Sequence, residues 1–179
     1  MSIGLATLAL LLAPAAPGSV PELASILQKH ARPLMSDSRL PRRAEVAPCH
    51  GDQPTKLPFA FNADLNGDDR LDWAVMLIRV PAHSFQVVVL LAQNDGRYRP
   101  LVLETNAEGA NDFCIVEVPP GRYRTARGKG YELGSEHDRD PDEVVVTYPG
   151  IHLARFETAD WFWFWDPGAM RFRKVQISD

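Results

Sequence analysis

"DLNGDDRLDWAVMLIRV", residues 64–80, joins two unlike halves: nine residues carrying four Asp, one Asn and one Gly, then eight that are almost wholly apolar. Asn, Asp and Gly clusters turn chains. The run from Trp73 to Val80 is short, contains Val75, Ile78 and Val80, and is closed by Pro81, which favours a buried strand over a helix. "LPFAFN" (57–62) stands before the acidic turn as a second strand, so 57–80 reads as a hairpin.

Working outward, "FQVVVLLAQ" (85–93) returns after a turn over 81–84, and "NDG" (94–96) then signals a tight turn into "RYRPLVLE" (97–104). That is a meander. "FCIVEV", "GRYRTA", "EVVVTY", "IHLARFE", "DWFWFWD" and "MRFRKVQI" add short strand-like runs at close spacing. The expectation is a mainly β, antiparallel, sandwich-like single domain over 57–179, with one short N-terminal helix. No repeat of fixed period occurs, and a closed propeller needs at least about four blades.

Ahead of that domain, "SVPELASILQKHA" (19–31) carries a capping box, Ser19 to Glu22, and sets Leu23, Ile26 and Leu27 on one face, which predicts the helix. Residues 33–56 are rich in Pro, Arg and Ser and read as irregular. Residues 1–18 have the shape of a secretory signal peptide: an uncharged run from Ile3 to Ala16, too short to span a bilayer, ends in small residues. Cleavage fits after Ala15 or after Gly18, although no Lys or Arg precedes the run. The expected location is periplasmic or secreted, with no transmembrane segment. In oxidising surroundings the two cysteines, Cys49 and Cys114, are expected to form a disulfide, worth about 4 kcal/mol on loop entropy. The competing reading makes Cys49 and His50 a nucleophile and base.

The acidic loop has a spacing of its own. Counting Asp64 as one, side-chain oxygens fall at one, three, five and nine, on Asp64, Asn66, Asp68 and Asp72, and the carbonyl of Arg70 falls at seven. A hard cation such as Ca2+ takes six to eight oxygens, and alternate residues of a tight loop can converge on one point. Bare carboxylates about 4 Å apart repel by about 4 kcal/mol at an effective dielectric near 20, a term a divalent ion reverses. The helix-loop-helix calcium motif fails here, because its bidentate Glu at position twelve is Val75. The plainer reading is a solvated hairpin turn.

Across Phe61 to Val80 the loop resembles the D-x-[DN]-x-D-G-x-x-D segment of FG-GAP and VCBS repeats, which links two strands and binds calcium. The resemblance implies Asp64, Asn66, Asp68, the Arg70 carbonyl and Asp72 as ligands. It departs at position six, where the repeat has Gly and this chain has Asp69. Asp visits the left-handed region that position needs more readily than most residues.

Three other stretches stand out. In "DWFWFWD" (160–166) a strand would turn Trp161, Trp163 and Trp165 to one side and Phe162 and Phe164 to the other, giving two-layer packing or a Trp platform for a sugar or protein. Arg122, Arg124, Arg127 and Lys129 read as a charged edge or a polyanion site, but the stretch lacks the Ser or Thr of a phosphate loop and signals no helix. Asp138, Asp140 and Asp142 read as a charged hairpin tip or a second cation site.

A net charge of -4 argues against a nucleic-acid backbone binder. No nucleophile, zincin or clustered-histidine motif occurs, leaving Glu104, Glu117 and Glu157 as the carboxylates a hydrolase could use. The expected function is a calcium-stabilised module that binds a protein or glycan rather than an enzyme. A periplasmic inhibitor or immunity-type protein and a carboxylate-dependent hydrolase are the alternatives.

Overall fold

The computed structural model describes residues 19–46, 57–80, 82, 84–131, 140–155 and 160–178. Helix α1 (Val20–His30) starts where the sequence places it: the Ser19 hydroxyl accepts from the Glu22 amide at 3.3 Å, and Pro21 sits in the first turn, where no intrahelical donor is needed. Leu23 and Leu27 are fully buried. At its far end the His30 ring meets the Tyr98 ring edge-on, with centroids 5.7 Å apart. Among the described residues no helix is long and apolar enough to cross a membrane.

The acidic loop and its flanks build the first sheet, formed by β1 (Ser38–Arg39), β2 (Ala60–Ala63), β3 (Asp72–Arg79), β4 (Ser84–Ala92) and β5 (Tyr98–Asn106). Every pairing is antiparallel. β4 runs along one side of β3, while β2 and β1 share the other, β2 opposite Asp72 to Val75 and β1 opposite Ile78 and Arg79. β3 is buried from Asp72 to Leu77 without alternation, as its unbroken apolar run requires of a strand covered on both faces. Leu23 and Leu27 of α1 and Phe113, Ile115, Ile151 and Leu153 of a second sheet belong to the same buried cluster.

That second sheet takes the order β11, β10, β9, β6, from β6 (Phe113–Val118), β9 (Gly150–Arg155), β10 (Trp161–Asp166) and β11 (Arg171–Gln176). A two-stranded ribbon, β7 (Gly121–Arg124) with β8 (Glu143–Val146), packs against it. Strand β10 shows why three layers form. Trp163 and Trp165 join the core shared with the first sheet, and Phe162 and Phe164 join a separate cluster with Val144 and Val146 of β8. Each fully buried ring contributes roughly 1.5 to 3 kcal/mol, so both faces of β10 demand cover. The mainly β, antiparallel, non-propeller fold is as the sequence implies.

Two local expectations differ from what is found. Residues 33–46, read as irregular, contain β1 and two short 3-10 turns. A two-residue strand has no period to detect; it forms because the Val80 amide donates to the Asp37 carbonyl at 2.9 Å and Arg79 pairs with Asp37 at 3.0 Å. Within "GRYRTARGKG", read without a helix, Thr125 caps a single helical turn, α2 (Ala126–Lys129), which Gly130 ends at φ 84. Cys49, His50, His83, Asp138, His137 and Glu157 lie outside the described residues, as does the 1–18 segment.

Candidate metal centre

The loop between β2 and β3 is wound around its own side chains. Asp64 accepts three amides in succession: Gly67 at 2.7 Å and Asp68 at 3.1 Å on Oδ1, and Asp69 at 2.9 Å on Oδ2. Asn66 Oδ1 accepts from the Asp68 amide at 3.2 Å, and Asp68 Oδ1 from the Arg70 amide at 3.1 Å. Each alternate side chain therefore folds back on the backbone two or more residues ahead, the local competition with regular structure at which Asp and Asn excel. Gly67 at φ 77 and Asp69 at φ 61 occupy the left-handed region, so Asp69 takes the conformation that the Gly of the FG-GAP and VCBS pattern would supply.

Asp72, at position nine, is fully buried at the start of β3. Its Oδ2 accepts from the Leu65 amide at 3.1 Å and its Oδ1 from the Ala92 amide at 2.8 Å, tying the loop to the end of β4. Burial pushes this carboxyl up to about 6; the two amides work against that, and the negative charges of Asp68 and Asp64 add to the rise. Arg70 supplies a cation within the loop. Its guanidinium bonds Asp68 Oδ2 at 2.5 Å and Asn94 Oδ1 at 2.6 Å, linking the loop to the β4–β5 turn.

The donors are of the right chemistry for a hard cation: carboxylate, amide and carbonyl oxygens at alternate positions. Among the described residues, however, no group of three or more His, Cys, Asp or Glu side chains is already gathered closely enough to hold a metal. Both oxygens of Asp72 are engaged by amides, and Asp68 Oδ2 also accepts from Asn66 Nδ2 at 3.0 Å. A carboxylate oxygen keeps a second lone pair after accepting one donor, which leaves ligation open at both oxygens of Asp72, at Asp64 Oδ2 and at Asp68 Oδ1, whereas Asp64 Oδ1 and Asp68 Oδ2 already accept two donors each.

The Trp face is not a platform. Trp163 and Trp165 are 3% and 6% exposed, and Trp161 is half-buried. Lys174 of β11 places its ammonium 5.1 Å from the Trp161 ring centre and 5.2 Å from that of Trp163, and bonds Glu104 of β5 at 2.8 Å. The ring faces that a sugar would stack on are occupied by the protein's own cation and core. The facing first sheet, invisible to strand periodicity, is the reason.

The basic residues each find a partner: Arg122 pairs with Glu143 across the ribbon at 2.6 Å, Arg124 bonds the Gly128 carbonyl, Arg127 meets Asp142 at 3.3 Å, and Lys129 bonds the Ile177 carbonyl at 2.6 Å. Asp140 accepts from the Gln176 amide at 3.2 Å while Asp142 faces Arg127, so the two do not converge as a second cation site. Cys114 is buried on β6 at 4% exposure. Glu117 is exposed on β6.

Sequence reasoning missed one feature. Between β8 and the β10–β11 turn lies a cleft of about 440 Å³, walled by Pro141, Glu143 and Val145 on one side and Asp166, Pro167 and Arg173 on the other. Its walls are more than twenty residues apart in sequence, and no local pattern announces it. No protein-family model matches the chain, and no curated protein or solved structure matches it either.

Proposed function

We propose that this chain is an exported, calcium-stabilised β-rich module that binds a protein or glycan in the cell envelope or outside the cell. The observation that carries the calcium half is Asp72: a fully buried carboxylate, raised to about 6 beside Asp64 and Asp68, is the environment a divalent ion relieves. Asp64, Asn66, Asp68, the Arg70 carbonyl and Asp72 would hold the ion. Bound there, it supplies positive charge and pins β2 to β3 and, through Asp72, to the end of β4. Its part is structural, and recognition falls to the surface that the braced sheets carry. The disulfide between Cys49 and Cys114 belongs to the same proposal and to an oxidising compartment.

Isothermal calorimetry at millimolar calcium, with a thermal melt alongside, tests this reading. Expected are a saturable heat and a higher melting temperature, both lost in Asp64→Ala; a silent titration and an unmoved melt would defeat it. The hydrolase alternative draws on one observation, that Glu143 and Asp166 line the same cleft. Asp166 is held below the usual carboxylate range by the Ala169 and Gly168 amides and by Arg173, and Glu143 is paired with Arg122. Asp166 is thus not arranged to keep the proton that a general acid must donate.

A further inference from the structure

We infer that the acidic loop modifies itself: Asn66 is a site of spontaneous deamidation, at which the Gly67 nitrogen displaces the side-chain amide and leaves an aspartyl or isoaspartyl residue. Of the asparagines in the chain, at positions 62, 66, 94, 106 and 111, Asn66 alone is followed by glycine. A side chain on the following residue hinders the approach of its nitrogen to the asparagine Cγ, and glycine has none. Gly67 is exposed, so water reaches the junction.

Hydrogen bonds prepare each reacting atom. The Gly67 amide donates to Asp64 Oδ1 at 2.7 Å, a charge-assisted bond that polarises the N–H of the attacking nitrogen. Asn66 Oδ1 accepts at 3.2 Å from the Asp68 amide, which it shares with Asp64. That bond closes a small ring that includes the Gly67 nitrogen, and so folds the Asn66 side chain forward over it. The same amide faces the oxygen on which negative charge develops as Cγ becomes tetrahedral. Asn66 Nδ2, the group that leaves, is turned to Asp68 Oδ2 at 3.0 Å. Asn106 makes the same forward bond, to the Glu108 amide at 2.8 Å, but is followed by Ala107, so it isolates the part that glycine plays.

In the reaction the Gly67 nitrogen bonds to Asn66 Cγ, the Cγ–Nδ2 bond breaks, and Nδ2 leaves as ammonia carrying the former Gly67 amide hydrogen. Water then opens the cyclic imide at either carbonyl, its hydroxyl going to carbon and its hydrogen to nitrogen. The net change is amide and water to carboxylic acid and ammonia, and the acid ionises at neutral pH. Both products put a carboxylate where Asn66 gave Asp68 a donor, so the empty loop gains repulsion. On the calcium reading proposed above, on which only this consequence rests, position three becomes a charged ligand and holds the ion more tightly.

The test follows the intact protein in chelator, at 37 °C and mildly alkaline pH, by peptide mass spectrometry. Asn66→Gln and the wild type unfolded in guanidinium are followed beside it. The expected result is the mass gain of amide-to-acid conversion at position 66, at least about tenfold faster than at Asn106, as fast in the folded chain as in guanidinium, and missing from Asn66→Gln. Conversion no faster than at Asn106, or slowed by folding, overturns the inference. Calorimetry of Asn66→Asp, the product made directly, reads the ion separately: calcium affinity several-fold above wild type is expected, and equal affinity overturns the consequence for the ion. Conversion with no calcium bound by either protein defeats the calcium reading and leaves the modification standing. Calcium binding without conversion does the reverse.

Discussion

The ring of Tyr148, between β8 and β9, lies directly on Gly67 at the tip of the acidic loop: a methyl group built on Gly67 would sit 2.1 Å from Tyr148 Cζ. The loop of the first sheet is thereby buttressed by the segment that joins the outer ribbon to the second sheet. Gly67 is also at φ 77, so two independent reasons exclude a side chain. Gly67→Ala is expected to lose about 3 kcal/mol, from left-handed strain of roughly 1 to 2 kcal/mol plus overpacking. Gly96→Ala is the control, since φ there is 73 and nothing lies within 4 Å; it should lose only the strain. Chemical denaturation of both, and of Gly67→Ala with Tyr148→Ala, separates the two terms, and equal losses at positions 67 and 96 would refute the buttress.

Asp72→Ala strands two buried donors, the amides of Leu65 and Ala92. Each unsatisfied buried group costs about 1 to 3 kcal/mol, so a loss of roughly 2 to 5 kcal/mol is expected even in chelator. Asp69→Gly should move the other way, by a few tenths to about 1 kcal/mol, because φ is 61 there and Gly adopts it freely. Urea titrations in chelator measure both.

Trp163 distinguishes core from platform. Truncation to Ala at a 3% exposed position should cost about 3 to 5 kcal/mol, whereas a platform residue would cost little. Lys174→Met removes the ammonium from the two indoles and from Glu104 and should cost about 1 kcal/mol, with both rings still shielded from an aqueous quencher.

These cases show where the sequence was legible. Strands β2 to β11 could be read because runs such as "FCIVEV" and "DWFWFWD" carry their own periodicity and turn residues. The left-handed Asp69, at φ 61, is what the resemblance to the FG-GAP and VCBS loop implies for position six. What could not be read depends on partners distant in the chain. Whether the Trp side of β10 meets solvent is decided by a sheet formed from residues 38–106, β1 exists only against Ile78 and Arg79, and the cleft is made by the approach of β8 to a turn more than twenty residues later.

Acid should expose the clasp around Asp160. Burial would raise this carboxyl, but the contact with His152 at 3.2 Å and the Arg155 amide at 2.9 Å outweigh it, leaving Asp160 below its ordinary value. A depressed folded-state pKa gives stability that is present above the unfolded value, near 3.9, and is lost as pH falls through the folded one. Between pH 5 and pH 3 the wild type should therefore lose more stability than Asp160→Asn, which has no carboxyl to titrate. Parallel loss in thermal melts of the two would show that the clasp contributes nothing.

Arg70 separates the ion from the loop's internal countercharge. Its guanidinium holds Asp68 and Asn94, while the group that the FG-GAP and VCBS resemblance assigns to the metal is its main-chain carbonyl. Arg70→Ala keeps that carbonyl and deletes the competing cation. In chelator the variant should be less stable by about 1 kcal/mol, the worth of a partly exposed ion pair with its hydrogen bonds. In calcium the order reverses in affinity: with Asp68 freed, binding should tighten several-fold, because a like charge no longer stands beside the ion. At free calcium a hundred times the dissociation constant, binding adds about 2.7 kcal/mol, or roughly 5 to 10 °C in Tm, so the variant should melt lower than wild type in chelator and recover a larger increment on calcium addition. A variant that loses stability in chelator and gains nothing from calcium, alongside an equally unresponsive wild type, would make Arg70 the loop's resident cation in place of a metal.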